Sequence, residues 1–358
     1  MSIDKNSKIF VAGHKGLVGS AILDLLKFNG YQNIISRSHQ ELDLTNQQKT
    51  FEFFESESPE YVFLAAAKVG GIIANRDYPA DFIYENLMIA TNVIFNSFKF
   101  GVKKLLNLGS SCIYPKLAPQ PLKEEFLLTS ELEPSNEGYA IAKIAAIKMC
   151  SAFNKQYGTE FISLMPSNLY GSNDNFNLET SHVLPALIRK SILAKFLQNN
   201  NFDFIKKDLK FHKIGFGLDD KIDLTNEISI IQILNDLGIT EKYLTIWGSG
   251  NARREFLHIN DLAEACIFFM NNHSYREIDD FVNIGTGEDI SIKELLDIIT
   301  NKLGLDIEVR YDKTKPDGTP KKVMDITKSK NLGWTPKISL EDGVSIIIKD
   351  YMKKVEQL

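Results

Sequence analysis

Cysteine is scarce in this chain: three among 358 residues, Cys112, Cys150 and Cys266. They lie far apart and without metal-ligand spacing, so neither a disulfide framework nor a zinc site has support. Long apolar runs are also missing. No stretch approaches the roughly 20 apolar residues that span a bilayer. The opening MSIDKNSKIF sets polar and acidic residues where an export signal needs a continuous apolar stretch. The expected compartment is the cytoplasm, with no membrane partner. An excess of positive charge is absent as well. Lys and Arg number 41 against 46 Asp and Glu, a net charge of −5, and the basic residues are scattered, which argues against nucleic acid as a partner. What remains is ordinary: 44% hydrophobic and 24% charged residues, the composition of a compact globular protein long enough for one large domain or two.

The first half alternates strand-like and helical segments. Lys8-Ile9-Phe10-Val11-Ala12 leads through glycines into a segment from Ser20 whose apolar residues recur at helical spacing. Further apolar runs follow at Asn33–Ile35, Tyr61–Ala65, Lys104–Leu108 and Phe161–Leu164. Strands alternating with helices predict an α/β fold with a doubly wound parallel sheet. After about Gly171 the rhythm weakens. The expected division is residues 1–171, to which later segments can return, and residues 172–358 as a smaller mixed α/β unit on the substrate side. Within the latter, residues 194–243 are atypical. Five phenylalanines lie between Phe196 and Phe216, and Asn226–Leu237 has the pattern of an amphipathic helix.

Gly13-His14-Lys15-Gly16-Leu17-Val18-Gly19 follows the first strand and opens the first helix. Glycines there permit a tight turn and close approach of backbone to a pyrophosphate, and the helix N-terminus supplies N–H groups. A glycine pattern alone marks any turn, but its place on the first strand–helix junction predicts a dinucleotide site. The second strand ends in Ile35-Ser36-Arg37-Ser38-His39, without the carboxylate that binds the ribose of NAD. Arg37 and Lys15 suit a 2′-phosphate. NADPH is the expected cofactor, against the plainer reading of Arg37 as a solvated surface residue.

Tyr139 and Lys143 are four residues apart and share one face of a helix. A tyrosine with an ordinary pKa near ~10 is a poor acid–base group, and an adjacent lysine cation is expected to lower that value. A lone Tyr-x-x-x-Lys is common by chance. Joined to the glycine loop and to Gly109-Ser110-Ser111 after a predicted strand, it predicts proton exchange with a carbonyl or alcohol oxygen.

These segments, with Leu108–Lys116, Pro166–Gly171, Ser181–Ala186, Trp247–Gly250, Arg254–His258 and Lys315–Pro320, resemble the GDP-L-fucose synthase family of extended short-chain dehydrogenase/reductases. The resemblance implies a Rossmann-type fold and inversion of carbons 3 and 5 of a GDP-4-keto-6-deoxy sugar, followed by NADPH reduction of the carbon 4 ketone. It also implies a homodimer. By the same resemblance Cys112 and His182 are the base and acid of the inversion. Ser110 and Tyr139 hold the carbon 4 oxygen, and Lys143 holds the nicotinamide ribose and keeps Tyr139 acidic. NADPH contacts are implied for Gly13 to Gly19, Arg37, His39, Leu108, Gly109, Ser111, Lys143, Pro166, Asn168, Leu169 and His182. Lys190, Trp247, Arg254 and Asp317 are implied for the GDP moiety, the aromatic and the guanidinium forming a natural clamp for a base and a diphosphate. No metal is implied.

Plainer readings stand beside these. A cysteine is often a small buried hydrophobe, and Cys150 and Cys266 fit that description. Cys112 differs by its place two residues after Ser110 at a strand end. His182 alone reads as a helix-start residue. The chain also departs from the family. Its connection from the His182 helix to the Trp247 strand is much longer, His39 stands where arginine is frequent, and Lys190 replaces an arginine. The long connection leaves room for a heptose in place of a hexose, and for a dedicated carbon 4 reductase without epimerase activity. A 4,6-dehydratase would carry Thr-Asp-Glu where this chain has Ser110-Ser111-Cys112. A non-catalytic NADP sensor would be expected to lose Tyr139 or Lys143, and both are present.

Overall fold

A computed structural model describes residues 3–315 and 317–357; Pro316, within the Lys315–Pro320 segment, lies outside the described residues. Two compact units emerge. The first comprises Met1–Leu169, Glu255–Glu288 and Val323–Lys337, and the second Tyr170–Arg254, Asp289–Lys322 and Ile338–Leu358. The first stretch of the first unit ends at Leu169, and two later stretches belong to the same unit.

Six parallel strands form the sheet of the first unit: β1 (Ile9–Ala12), β2 (Ile34–Ile35), β3 (Tyr61–Leu64), β4 (Lys104–Leu108), β5 (Phe161–Pro166) and β6 (Val282–Ile284). Their order is β6-β5-β4-β3-β1-β2. Registers such as Phe10 opposite Val62 and Leu64 opposite Asn107 align the strand ends. Runs such as IFVA and YVFL are buried on both faces, as a parallel sheet covered by helices requires. Side chains alternate between the faces. Ile9 and Val11 join Ile22 and Leu26 of helix Leu17–Phe28 and Leu262 and Phe269 of helix Ile259–Asn272. Phe10 and Ala12 join Phe53, Phe54, Val93, Ile94 and Ala146 on the opposite side. Each such buried side chain contributes on the order of 1.5–3 kcal/mol. Cys266 belongs to the first cluster and Cys150 to the second, so both serve as core hydrophobes.

The chain leaves β1 toward β2 on one side and returns to β3 on the other. The strand order thus reverses between β1 and β3, and the crevice beyond the carboxyl ends at such a reversal is where open α/β sheets bind ligands.

The second unit contains a three-stranded sheet, a parallel pair of Tyr243–Trp247 with Glu308–Asp312, and helices Val183–Gln198, Ile292–Leu303 and Leu340–Glu356. The atypical stretch is built into it. Asn201 caps helix Phe202–Phe211 by accepting from the Phe204 N–H, and Asn226 caps helix Glu227–Asp236. Phe204 stacks on Phe196 with ring centroids 3.8 Å apart. Asp208, fully buried, accepts from Arg189. Phe196 and Phe204 are thus packing residues, whereas Phe211 is 47% exposed.

Candidate active site

The glycine loop turns at Gly13, whose φ of +86° suits only glycine. A Cβ at Gly19 would sit 2.1 Å from the Gly13 carbonyl oxygen. Gly16 is different, because a Cβ there would meet nothing of the chain closer than 3.5 Å. The protein's own packing demands the first and third glycines, while the second keeps the space outside the loop clear, where a pyrophosphate would need it. Gly16 caps helix Leu17–Phe28, which has no acidic residue in its first turn, so its positive end is uncompensated. Nδ1 of His14 is buried without a hydrogen-bond partner, Leu17 and Val18 pack against the core, and Lys15 is exposed. These features fit a dinucleotide phosphate.

Beyond β2, Arg37 Nη2 donates to Glu57 at 2.6 Å and Nη1 to the Ser36 carbonyl at 3.0 Å. Arg37 is therefore positioned by a carboxylate twenty residues away, which no local pattern announces. Glu41 folds back to accept from the N–H and hydroxyl of Ser38, both at 2.6 Å, and these bonds hold its carboxyl below the usual range. His39 is largely exposed, 3.8 Å from Asp43.

Ser110, Cys112, Tyr139 and Lys143 gather at the end of β4. Ser110 Oγ accepts from the Cys112 N–H at 3.4 Å and opens the short turn Ser111–Ile113, which buries Ser111 and Cys112. Ser110 neighbours the phenol of Tyr139 and favours its ionised form. One turn along helix Glu137–Tyr157, Lys143 donates to the Leu108 carbonyl at 2.8 Å, its Nζ 5.7 Å from the Tyr139 ring centroid. Burial lowers the Lys143 ammonium to about 8, opposed by the neighbouring Cys112. Burial likewise raises the Tyr139 phenol, with Cys112 adding to the rise and Ser110 opposing it. In the chain alone, desolvation dominates the phenol, in the direction opposite to the expected acidification by lysine. Tyr139 is consequently a protonated phenol at neutral pH.

Gly109 donates its N–H to Leu164 at 2.9 Å, and Pro166 ends β5. Asn168 Nδ2 donates to the Glu255 carbonyl at 2.8 Å, with half-buried Leu169 beside it in sequence. Glu255 itself is buried, accepting from the N–H groups of Thr286, Gly287 and Met324. Sequence reasoning quoted it in a motif but gave it no role.

His182, Lys190, Trp247, Arg254 and Asp317 lie in the second unit. His182 stands at the N-cap of helix Val183–Gln198, its imidazole lowered by desolvation although the residue is exposed at the helix edge. Lys190 donates to the Leu237 and Thr245 carbonyls at 3.0 and 3.2 Å, so the ammonium expected at phosphates instead ties the end of helix Glu227–Asp236 to strand Tyr243–Trp247, and burial lowers it to about 8. Trp247 is 49% exposed. Arg254 donates to its neighbour's carbonyl at 2.8 Å and to that of Thr319. Asp317 accepts the Ser249 N–H at 2.8 Å, and a Cβ at Gly248 would lie 2.3 Å from its Oδ1. Among the described residues no helix is long and apolar enough to cross a membrane, and no group of His, Cys, Asp and Glu could hold a metal ion.

Residues 9–204 match the NAD dependent epimerase/dehydratase family, and residues 224–347 the GDP-mannose 4,6 dehydratase family. A putative GDP-L-fucose synthase from Arabidopsis thaliana is 50% identical over 355 residues, covering 99% of this chain and 94% of the relative. Among solved structures, a GDP-6-OMe-4-keto-L-xylo-heptose reductase from Campylobacter jejuni is 43% identical with a TM-score of 0.91, covering 99% of this chain and 100% of its own. A GDP-mannoheptose C4 reductase from the same organism, solved with NADP bound, is 43% identical with a TM-score of 0.87, covering 98% of this chain and 99% of its own. With the glycine loop and the Ser110–Tyr139–Lys143 arrangement in place, the chain belongs to the NAD dependent epimerase/dehydratase family and, within it, to the GDP-L-fucose synthase family of extended short-chain dehydrogenase/reductases.

Proposed function

We propose that this chain reduces the carbon 4 ketone of a GDP-4-keto-6-deoxy sugar with NADPH and first inverts carbons 3 and 5. The observation that carries the reading is the gathering of Ser110, Cys112, Tyr139 and Lys143 at one strand end, with Lys143 one turn after Tyr139 and Cys112 in the short turn that Ser110 opens. Bound NADPH supplies the hydride. Gly13 to Gly19, with His14 and Lys15, would hold its phosphates, Arg37 and His39 its 2′-phosphate, and Leu108, Gly109, Ser111, Pro166, Asn168 and Leu169 its remaining length.

Tyr139 and Ser110 donate hydrogen bonds to the carbon 4 oxygen. In the inversion, the proton on the carbon beside the ketone passes to the Cys112 thiolate and the electron pair becomes an enolate whose charge rests on that oxygen. His182 returns a proton to the opposite side of the carbon. In the reduction, Tyr139, which burial keeps protonated, gives its proton to the carbon 4 oxygen as hydride arrives at carbon 4. Trp247, Arg254 and Asp317 would hold the GDP moiety, with Lys190 bracing the strand that carries Trp247. Catalysis by a homodimer in the cytoplasm completes the reading. Helices Pro79–Lys99 and Glu137–Tyr157 support the dimer, since they leave Tyr84, Phe95, Ile141 and Tyr157 exposed as a second copy would require.

A second reading, a dedicated reductase of a GDP-linked heptose, is favoured by the two Campylobacter structures. Deuterium uptake separates the two. Incubated in deuterated water with GDP-4-keto-6-deoxymannose and no NADPH, the wild type exchanges the hydrogens at carbons 3 and 5, and Cys112→Ser slows that exchange severely while still reducing a ketone. Absence of exchange, together with faster NADPH oxidation by the heptose homologue, would assign the second reading.

A further inference from the structure

The atypical stretch does more than pack. Its segment Gly215-Phe216-Gly217 carries three successive positive φ angles, +86°, +55° and +64°. Glycine adopts these freely, but for phenylalanine such a backbone is a rare and costly outlier. The turn is held from both sides. Asp219 accepts the N–H groups of Ile214 and Gly215 at 2.7 and 2.9 Å, and Glu179 accepts that of Phe216 at 2.7 Å. A Cβ on Gly215 would lie 2.5 Å from the Glu179 Cβ, so the turn is seated closely on the segment that leads into His182. The ring of Phe216, half-buried, meets Trp247 edge to face with centroids 6.1 Å apart. Lys315 brings a cation to 5.3 Å from the same indole. The strained turn thus holds an aromatic ring against one side of a half-exposed tryptophan, whose other surface stays open to a flat ligand.

We infer that Phe216 is a specificity-determining residue of the nucleotide subsite, an aromatic wall that the long connection adds beside Trp247 to receive the guanine base. The inference rests on the reading of a GDP-linked substrate and names a residue of that same site. Because glycine suits a positive φ, Phe216→Gly removes the ring while relieving the backbone, and Tm reports the packing that is lost with it. Phe216→Tyr keeps the ring.

The test is calorimetric titration of GDP into wild type, Phe216→Gly and Phe216→Tyr, with Tm and the KM and kcat for the ketone substrate measured on each. Phe216→Gly is expected to weaken GDP binding and raise KM about two- to ten-fold, the worth of one aromatic contact, with kcat maintained. Phe216→Tyr should match the wild type. Unchanged GDP affinity in Phe216→Gly would overturn the assignment, as would an equal loss in Phe216→Tyr, which would mark a packing role. A wild type that binds no GDP would overturn the nucleotide-sugar reading itself, a distinct result.

Discussion

Arg189 and Asp208 form an ion pair in which neither side chain is exposed. Nε and Nη2 of the guanidinium donate to one carboxylate oxygen at 3.1 and 2.8 Å. Tyr351 donates to the other oxygen. The remaining guanidinium hydrogens reach the carbonyls of Phe176, His212 and Lys213 at 3.0, 2.8 and 2.7 Å. One buried cation thus ties helix Phe202–Phe211 of the long connection to the segment before His182.

Breaking that pair leaves an uncompensated charge without water. Asp208→Ala is therefore expected to cost about 3–5 kcal/mol in urea unfolding. A loss below about 1 kcal/mol would show that the long connection is not anchored through Asp208.

Lys190 makes stability depend on pH in a defined direction. Burial lowers its ammonium to about 8, against roughly 10.4 in an unfolded chain. Between those values the unfolded chain binds more protons, so stability from this group rises with pH. Its penalty is full below about 8 and gone above about 10.4. Lys143 and Lys104 are lowered similarly by burial, and the comparison with Lys190→Met isolates one of the three. The difference in unfolding free energy between wild type and Lys190→Met should move in the wild type's favour as pH rises across that window. A constant difference would contradict the account.

Arg37 is the residue proposed to carry the cofactor preference, and its bond to Glu57 restrains it. Arg37→Ala should lower kcat/KM with NADPH about ten-fold or more, the worth of a hydrogen bond to a charged group, with little change for NADH. Glu57→Gln, by releasing the guanidinium, should tighten NADPH binding. Initial rates with both cofactors test this, and a wild type indifferent to the 2′-phosphate would remove its basis.

The strands nearest the site were legible in the sequence because Ile9–Ala12, Tyr61–Leu64, Lys104–Leu108 and Phe161–Pro166 are short apolar runs, the mark of a sheet covered on both faces. Val282–Ile284 was not. It has three residues and reaches the sheet only after a long excursion through the second unit. The four-residue spacing of Tyr139 and Lys143 was local and readable, whereas their pKa directions follow from burial, which spacing does not encode. Glu57 under Arg37 and Asp208 under Arg189 are non-local partners and left no pattern. Phe216 did leave one: glycines on both sides of an aromatic residue mark a turn, although its contact with Trp247 is visible only in three dimensions.

The central claim is that Tyr139 protonates the carbon 4 oxygen as the ketone is reduced, and NADPH oxidation with GDP-4-keto-6-deoxymannose tests it most directly. Wild type should oxidise one NADPH for each ketone consumed. Tyr139→Phe should bind NADPH with unchanged affinity yet turn over about 10²–10⁴-fold more slowly, the range for losing a positioned proton donor. Near wild-type turnover in that variant, or no NADPH oxidation by the wild type, would contradict the account.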